Sequence, residues 1–266
     1  MLALLFTSLF LLQDPAPKPA DQQGRSEPAP TAPNSQEVWD DRTAKAKLKD
    51  FDKQWKAKPS MGERKRLLDE LGQGHNKLLV KSLAKVVETD ESVVIRKHAV
   101  DLLLTQPTDE LGPALTKLLG DGKVTANAAV QAALIRGVAK SCYTSKQWSA
   151  LAEVFESDYE TERVPVHEAI LDLVIQHKEA QAVPMLLRNF DEPSPKDVNG
   201  GENPPAEYWK ARWHSWSAWR PKVKEALFAI TGQQFADVAE AKAWLDKNPL
   251  PKSGKGGDDD KGKKRR

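Results

Sequence analysis

The feature that most constrains this chain is an internal repeat. Four segments, LLVKSLAKVV, LGPALTKLLGD, WSALAEVFES and AVPMLLRNFDE, share a pattern of paired apolar residues. Placing Leu83, Leu115, Leu151 and Leu186 in register gives spacings of 32, 36 and 35 residues. Upstream of the last three lie VIRKHAVDLLL, AAVQAALIRGV and PVHEAILDLVI, in which Ala99, Ala133 and Ala169 recur at 34 and 36. Each unit of this length holds two amphipathic helices, and one such pair cannot bury its apolar face alone. Stacked pairs can, so the pattern predicts an all-α protein, a right-handed α-solenoid of about four helix pairs. The small alanine should sit where facing backbones come close. No alternating strand pattern occurs, and no sheet is expected.

Turn chemistry fits this division. Ser60 and Glu63 form a capping-box pattern ahead of a helix. The stretch Gly120 to Lys123 breaks the chain after one helix pair, and Gln106 to Glu110 separates the helices of another. Pro165 suits a first helical turn, where its missing N–H is not needed.

VIRKHAVDLLL, with Arg96, Ala99 and Leu102 in register, resembles the first helix of a HEAT repeat. GPALTKLL and VPMLLRNF resemble the second, with Pro113 and Pro184 each two residues before the anchoring Leu. The resemblance covers Ser60 to Asp191. The ending ALFAITGQQFADVAEAKAWLDKNP is similar to the C-terminal segment of secreted HEAT-repeat proteins of planctomycete-type bacteria. The resemblance implies a HEAT/armadillo-like solenoid and an exported chain, and says nothing about chemistry.

The ends read differently from the middle. Leu2 to Leu12 is an unbroken run of apolar and small residues, too short to cross a bilayer as a helix. It has the length of a signal-peptide core, so residues 1–13 predict export to the periplasm or beyond, with an uncleaved anchor as the alternative. Residues 14–35 are a Pro/Ala-rich linker with too little apolar content to order itself. The helical repeats then occupy 36–190, a loop 191–205, a Trp-rich helical cap 206–250, and a basic tail 251–266. The net charge of +2 is uneven: the tail holds most of the basic excess, and the stretch from 36 to 251 is near neutral. Such a region has no bulk charge to spend on phosphates, and only the tail is suited to a polyanion.

Candidate chemistry is sparse. Cys142 is the only cysteine and reads as a small core residue, with nothing nearby to stabilise a thiolate. His75, His98, His167, His177 and His214 are dispersed and show no metal-ligand spacing. Glu168, Asp172 and Gln176 line one helix face, as a solvated stripe or part of a binding surface. A phosphate loop at Gly120 would need Gly in place of Lys117 and Ser or Thr in place of Val124. We expect no cofactor, no metal and no enzymatic activity.

EYWKARWHSWSAWRP, residues 207–221, carries four of the eight tryptophans. On a helix, Trp209, Trp213, Trp216 and Trp219 share an arc of about 120°, and Arg212 lies on it. Pro221 should end that helix at Arg220. A second helix should then run to Thr231, with Gly232 as its cap, and a third from Ala236 to Leu245. The stripe reads first as a seal over the open end of the stack. Its competing reading is a binding platform built from Trp209, Arg212, Trp213, Trp216 and Trp219, since Trp and Arg are frequent interface anchors. The function expected from all this is a non-catalytic scaffold that holds another protein. The alternatives are a glycan- or peptidoglycan-binding module using that stripe and, further off, a HEAT-like DNA-binding protein or glycosylase.

Overall fold

The computed structural model describes residues 37–157, 159–195 and 203–250. The expected leader, linker and basic tail lie outside the described residues, as does the middle of the 191–205 loop. Twelve α-helices occur among the described residues: α1 (Asp41–Lys56), α2 (Met61–Gly72), α3 (Lys77–Thr89), α4 (Val93–Leu103), α5 (Thr108–Leu119), α6 (Gly122–Thr125), α7 (Ala128–Ser141), α8 (Trp148–Ser157), α9 (Val164–His177), α10 (Val183–Arg188), α11 (Ala206–Thr231) and α12 (Val238–Lys247). The protein is thus mostly helical, as the repeat pattern requires.

The helix starts are set by local chemistry. Asp40, Asn76, Ser92, Asn127 and Asp237 each accept a backbone N–H of the first turn, satisfying a donor the helix itself leaves open. Ser60 and Glu63 form the expected reciprocal box: the Ser60 N–H donates to Glu63 Oε2 at 2.9 Å, and the Glu63 N–H to Ser60 Oγ at 3.4 Å. Pro165 sits in the first turn of α9, and Gly232 closes α11 at φ +70°, a conformation that costs glycine little.

Helices α2, α4, α7, α9 and α11 touch in succession and form a spine. On its flank, α1 packs on α3 and α3 on α5, while α8 backs α9 and α10 backs both α11 and α12. The aligned leucines Leu83, Leu115, Leu151 and Leu186 are all buried where flank meets spine. Four spine helices also bury a polar residue: Arg96, Gln131, His167 and Arg212. Arg96 Nε donates to the Val87 carbonyl at 2.6 Å and Nη2 to the Lys123 carbonyl at 2.9 Å, serving acceptors at helix ends on both sides. His167 Nε2 lies 3.1 Å from the Phe155 carbonyl in the last turns of α8.

Three expectations need correction. A two-residue parallel pairing joins Glu37–Val38 to Gly74–His75, too short to show as alternation in sequence. Here the Trp39 ring lies against Gly74, where an added Cβ would come within 2.2 Å of it. On α7, Ala133 is only half-buried, and its neighbours Ala132 and Leu134 take the core. The close approach on that helix belongs to Gly137, where a Cβ would meet Leu104 at 2.1 Å. Finally, α11 runs straight through Pro221. Pro221 lies on the exposed face, where water can serve the carbonyl it leaves unpaired. Trp216 and Trp219 before it and Val223 and Leu227 after it are all buried along one side. At about 1.5–3 kcal/mol each, their burial outweighs the roughly 3 kcal/mol cost of an interior proline.

Cys142 is half-buried against the core. The Glu168–Asp172–Gln176 face is neither free nor empty. Asp172 pairs with Lys222 of α11, and Gln176 Nε2 donates to the Ala139 carbonyl of α7 at 3.0 Å.

Candidate functional site

Three places bring polar or aromatic side chains together. The first is a groove between α3 and α5. Along α3, Leu79, Leu83, Val86 and Val87 face the core, while buried Val80 and half-buried Ala84 border the groove beneath exposed Lys77, Lys81 and Lys85. On α5, Leu111, Leu115 and Leu119 are buried, and Pro113, Ala114 and Lys117 line the outer edge. Because Ala84 and Ala114 are too short to bridge the two helices, a groove of about 480 Å³ stays open over Leu118 and Val80.

Charge is sorted around this groove. Lys77, Lys81, Lys85 and Lys117 have no carboxylate within ion-pair distance among the described residues, whereas Glu88 on the rim pairs with Lys123 at 3.7 Å. Asp121 is occupied as the cap of α6, accepting the Lys123 and Val124 N–H groups. Glu110 lies in the first turn of α5, where the helix dipole favours an anion. Four ammonium groups thus share the lining with three carboxylates, a small positive excess, with Glu88 paired to Lys123 rather than to any of the four. The signal was present in sequence as Lys at i, i+4 and i+8, but only the neighbouring helix makes it a groove.

The second place is the tryptophan stripe, which the structure divides. Trp216 is 4% exposed and Trp219 fully buried, and Arg212 is 7% exposed. Trp209 is half-buried, and Trp213 stands 47% exposed with its indole N–H donating to Glu192 at 2.8 Å. The buried side of α11 is centred near Arg212, so Trp213 falls on its margin, about 100° away. Around Trp219 gather Phe155 (5.3 Å) and His167 (5.9 Å), with Tyr159 stacked on His167 at 5.7 Å. The Arg212 guanidinium lies 3.9 Å from the Tyr159 ring centre and 5.4 Å from that of Trp219. Its Nη2 donates to Asn189, and its Nη1 has no hydrogen-bond partner among the described residues. Burial pushes the Arg212 pKa down and the Tyr159 pKa up, with each ring partner opposing the other's shift. Arginine nonetheless keeps its charge.

The third place is a cluster where the α7–α8 and α9–α10 connections meet. Buried Glu179 accepts from Tyr143 Oη at 2.7 Å, from Ser145 Oγ at 2.5 Å and from the Gln181 N–H at 3.0 Å. Burial raises the Tyr143 pKa, and the Glu179 carboxylate adds to that. His177 borders the same small cavity, but its Nε2 is committed to the Ala139 carbonyl at 2.7 Å rather than to Ser145. Ser145 gives its proton to the Glu179 carboxylate, which also accepts from Tyr143 and Gln181, so the cluster ties the two connections together.

Among the described residues no group of three His, Cys, Asp or Glu is disposed to hold a metal ion. No helix among them is long and apolar enough to cross a membrane. No family model matches the chain, and neither a curated protein nor a solved structure matches it.

Proposed function

We propose that this chain is a non-catalytic interaction scaffold that holds another protein in the groove between α3 and α5. The observation that carries the reading is the groove itself: an apolar floor beside four lysines that have no ion-pair partner among the described residues. An open apolar floor rimmed by polar groups is the usual form of a surface that meets a partner. The mid-thirties period and the unbroken spine support a right-handed solenoid of about four HEAT-like pairs, sealed by α11 and α12. Export rests on the Leu2–Leu12 run.

A glycan platform on the Trp209–Trp219 stripe is the weaker reading, because Trp216 and Trp219 serve the core and Trp213 is tied to Glu192. The test is photo-crosslinking in the producing cell, with a benzophenone side chain in place of Ala84 and, as control, of exposed Lys97 on α4. A discrete crosslinked species from position 84 and none from 97 is expected. Absence of any species from position 84 would remove the scaffold reading.

A further inference from the structure

The groove carries information about the chemistry of its occupant. We infer that it receives an acidic amphipathic helix of the partner protein, an inference that rests on the scaffold reading above. The shape argues for an elongated ligand. The α3 wall is lined from Lys77 to Thr89, about 18 Å at the helical rise, and so matches about three turns of a docked helix. The floor residues Val80, Ala84, Ala114 and Leu118 offer a strip without a polar side chain, suited to the apolar face of such a helix.

Charge supplies the sign. Lys77, Lys81 and Lys85 repeat at helical spacing along one edge, and Lys117 faces them from α5. Three carboxylates, Glu88, Glu110 and Asp121, share the lining, but Glu88 is engaged by Lys123 and none of them pairs with these lysines among the described residues, so a small positive excess remains. Glutamates flanking the apolar stripe of a partner helix would meet these ammonium groups on the rim, where opposite charge sets orientation and encounter rate.

The test is fluorescence anisotropy with dye-labelled synthetic peptides. One peptide has leucines on a single helical face flanked by glutamates. A second is an isomer with the leucines spread around the helix, and a third replaces each glutamate with lysine. The full-length protein should bind the first at least about tenfold more tightly than the second, a difference of about 1.4 kcal/mol, and should not bind the third. Filling the floor with Ala84→Leu and Ala114→Leu should abolish this preference without altering charge. Lys81→Glu with Lys85→Glu should weaken the acidic peptide at least about tenfold and create binding of the lysine peptide. Thermal melts confirm that each variant is folded.

Equal binding of the two acidic isomers would overturn the proposal. So would heparin binding that competes with the peptide and survives the leucine pair, since the face would then be a general polyanion surface. If the peptides fail while position 84 still crosslinks to a discrete protein, the scaffold reading stands and the acidic helix falls. If both fail, both fall.

Discussion

Arg96 and Arg212 are both buried in the spine, and they are held in opposite ways. Arg96, 8% exposed, gives its N–H groups to backbone carbonyls of Val87 before it and Lys123 after it. Arg212 lies between the faces of Tyr159 and Trp219, reaches one side chain at Asn189, and keeps one terminal nitrogen unbonded. The difference follows from position. Inside the stack, α4 has helix ends on both sides that offer unpaired carbonyls. Among the described residues no further spine helix succeeds α11, and aromatic faces take the place of acceptors. A buried cation is tolerated in both settings, by hydrogen bonds in one and by ring electrostatics in the other.

The largest expected effect tests the aromatic end. Trp219→Ala should cost about 3–5 kcal/mol, because it removes a fully buried ring and one of Arg212's two faces. Trp213→Ala should cost under about 1 kcal/mol, since nearly half of its surface stays in solvent and its indole N–H is tied only to a surface carboxylate. Chemical denaturation of the two variants beside the parent protein would decide. Similar losses would mean that the stripe acts as one unit and that its division by burial is wrong.

A second pair addresses the arginines directly. Arg96→Met should cost about 2–4 kcal/mol by stranding the buried Val87 carbonyl and the part-buried carbonyl of Lys123. Arg212→Met should cost about 1 kcal/mol or less, since a thioether also packs well on aromatic rings and the unbonded nitrogen disappears. Comparable losses in urea titrations would break the comparison.

Gln131 occupies the spine between these two arginines, and among the described residues neither its amide oxygen nor its nitrogen has a partner. Gln131→Leu should therefore raise stability by about 1 kcal/mol, seen as a higher denaturation midpoint with an unchanged slope. A loss would show that the amide is satisfied in solution.

The smallest effect is one of acid. The lowered carboxyl pKa values lie at the α1–α2 end. The Thr43 N–H holds Asp40 down and the Ser60 N–H holds Glu63 down. For Asp69, burial acts upward but is outweighed by Lys65 and His98. Folded values below the ordinary ones mean that this stability is fully present above about pH 5 and lost as pH falls through and below about 4. Hydrogen exchange should then show α1 and α2 losing protection before α9 and α11. The reverse order would contradict the assignment.

How much of this was legible can be read residue by residue. The repeat leucines, the Ser60–Glu63 box and the Gly232 cap depend on local chemistry or periodicity, and sequence carries both. The break expected at Pro221 did depend on local chemistry, but tertiary burial on both sides of it prevailed. The phase of α7 slipped by one residue because Ala132 and Ala133 are indistinguishable until a neighbour chooses between them. Arg212 was visible as part of the stripe, but not that it would be buried between Tyr159 and Trp219. Tyr159 is 53 residues distant in the chain. The α3–α5 groove escaped for the same reason: a lysine series on one helix does not show what lies opposite.

The short pairing near the start of the described chain has a mechanical consequence. Tension applied ahead of Glu37 would load the Glu37–Gln73 and Trp39–His75 bonds together, in shear along the parallel strands. Behind them, Asn76 grips the Trp39 carbonyl with its side chain while capping the first turn of α3. The load path therefore ends on α3, one wall of the groove, so a pull ahead of Glu37 would be felt at that wall.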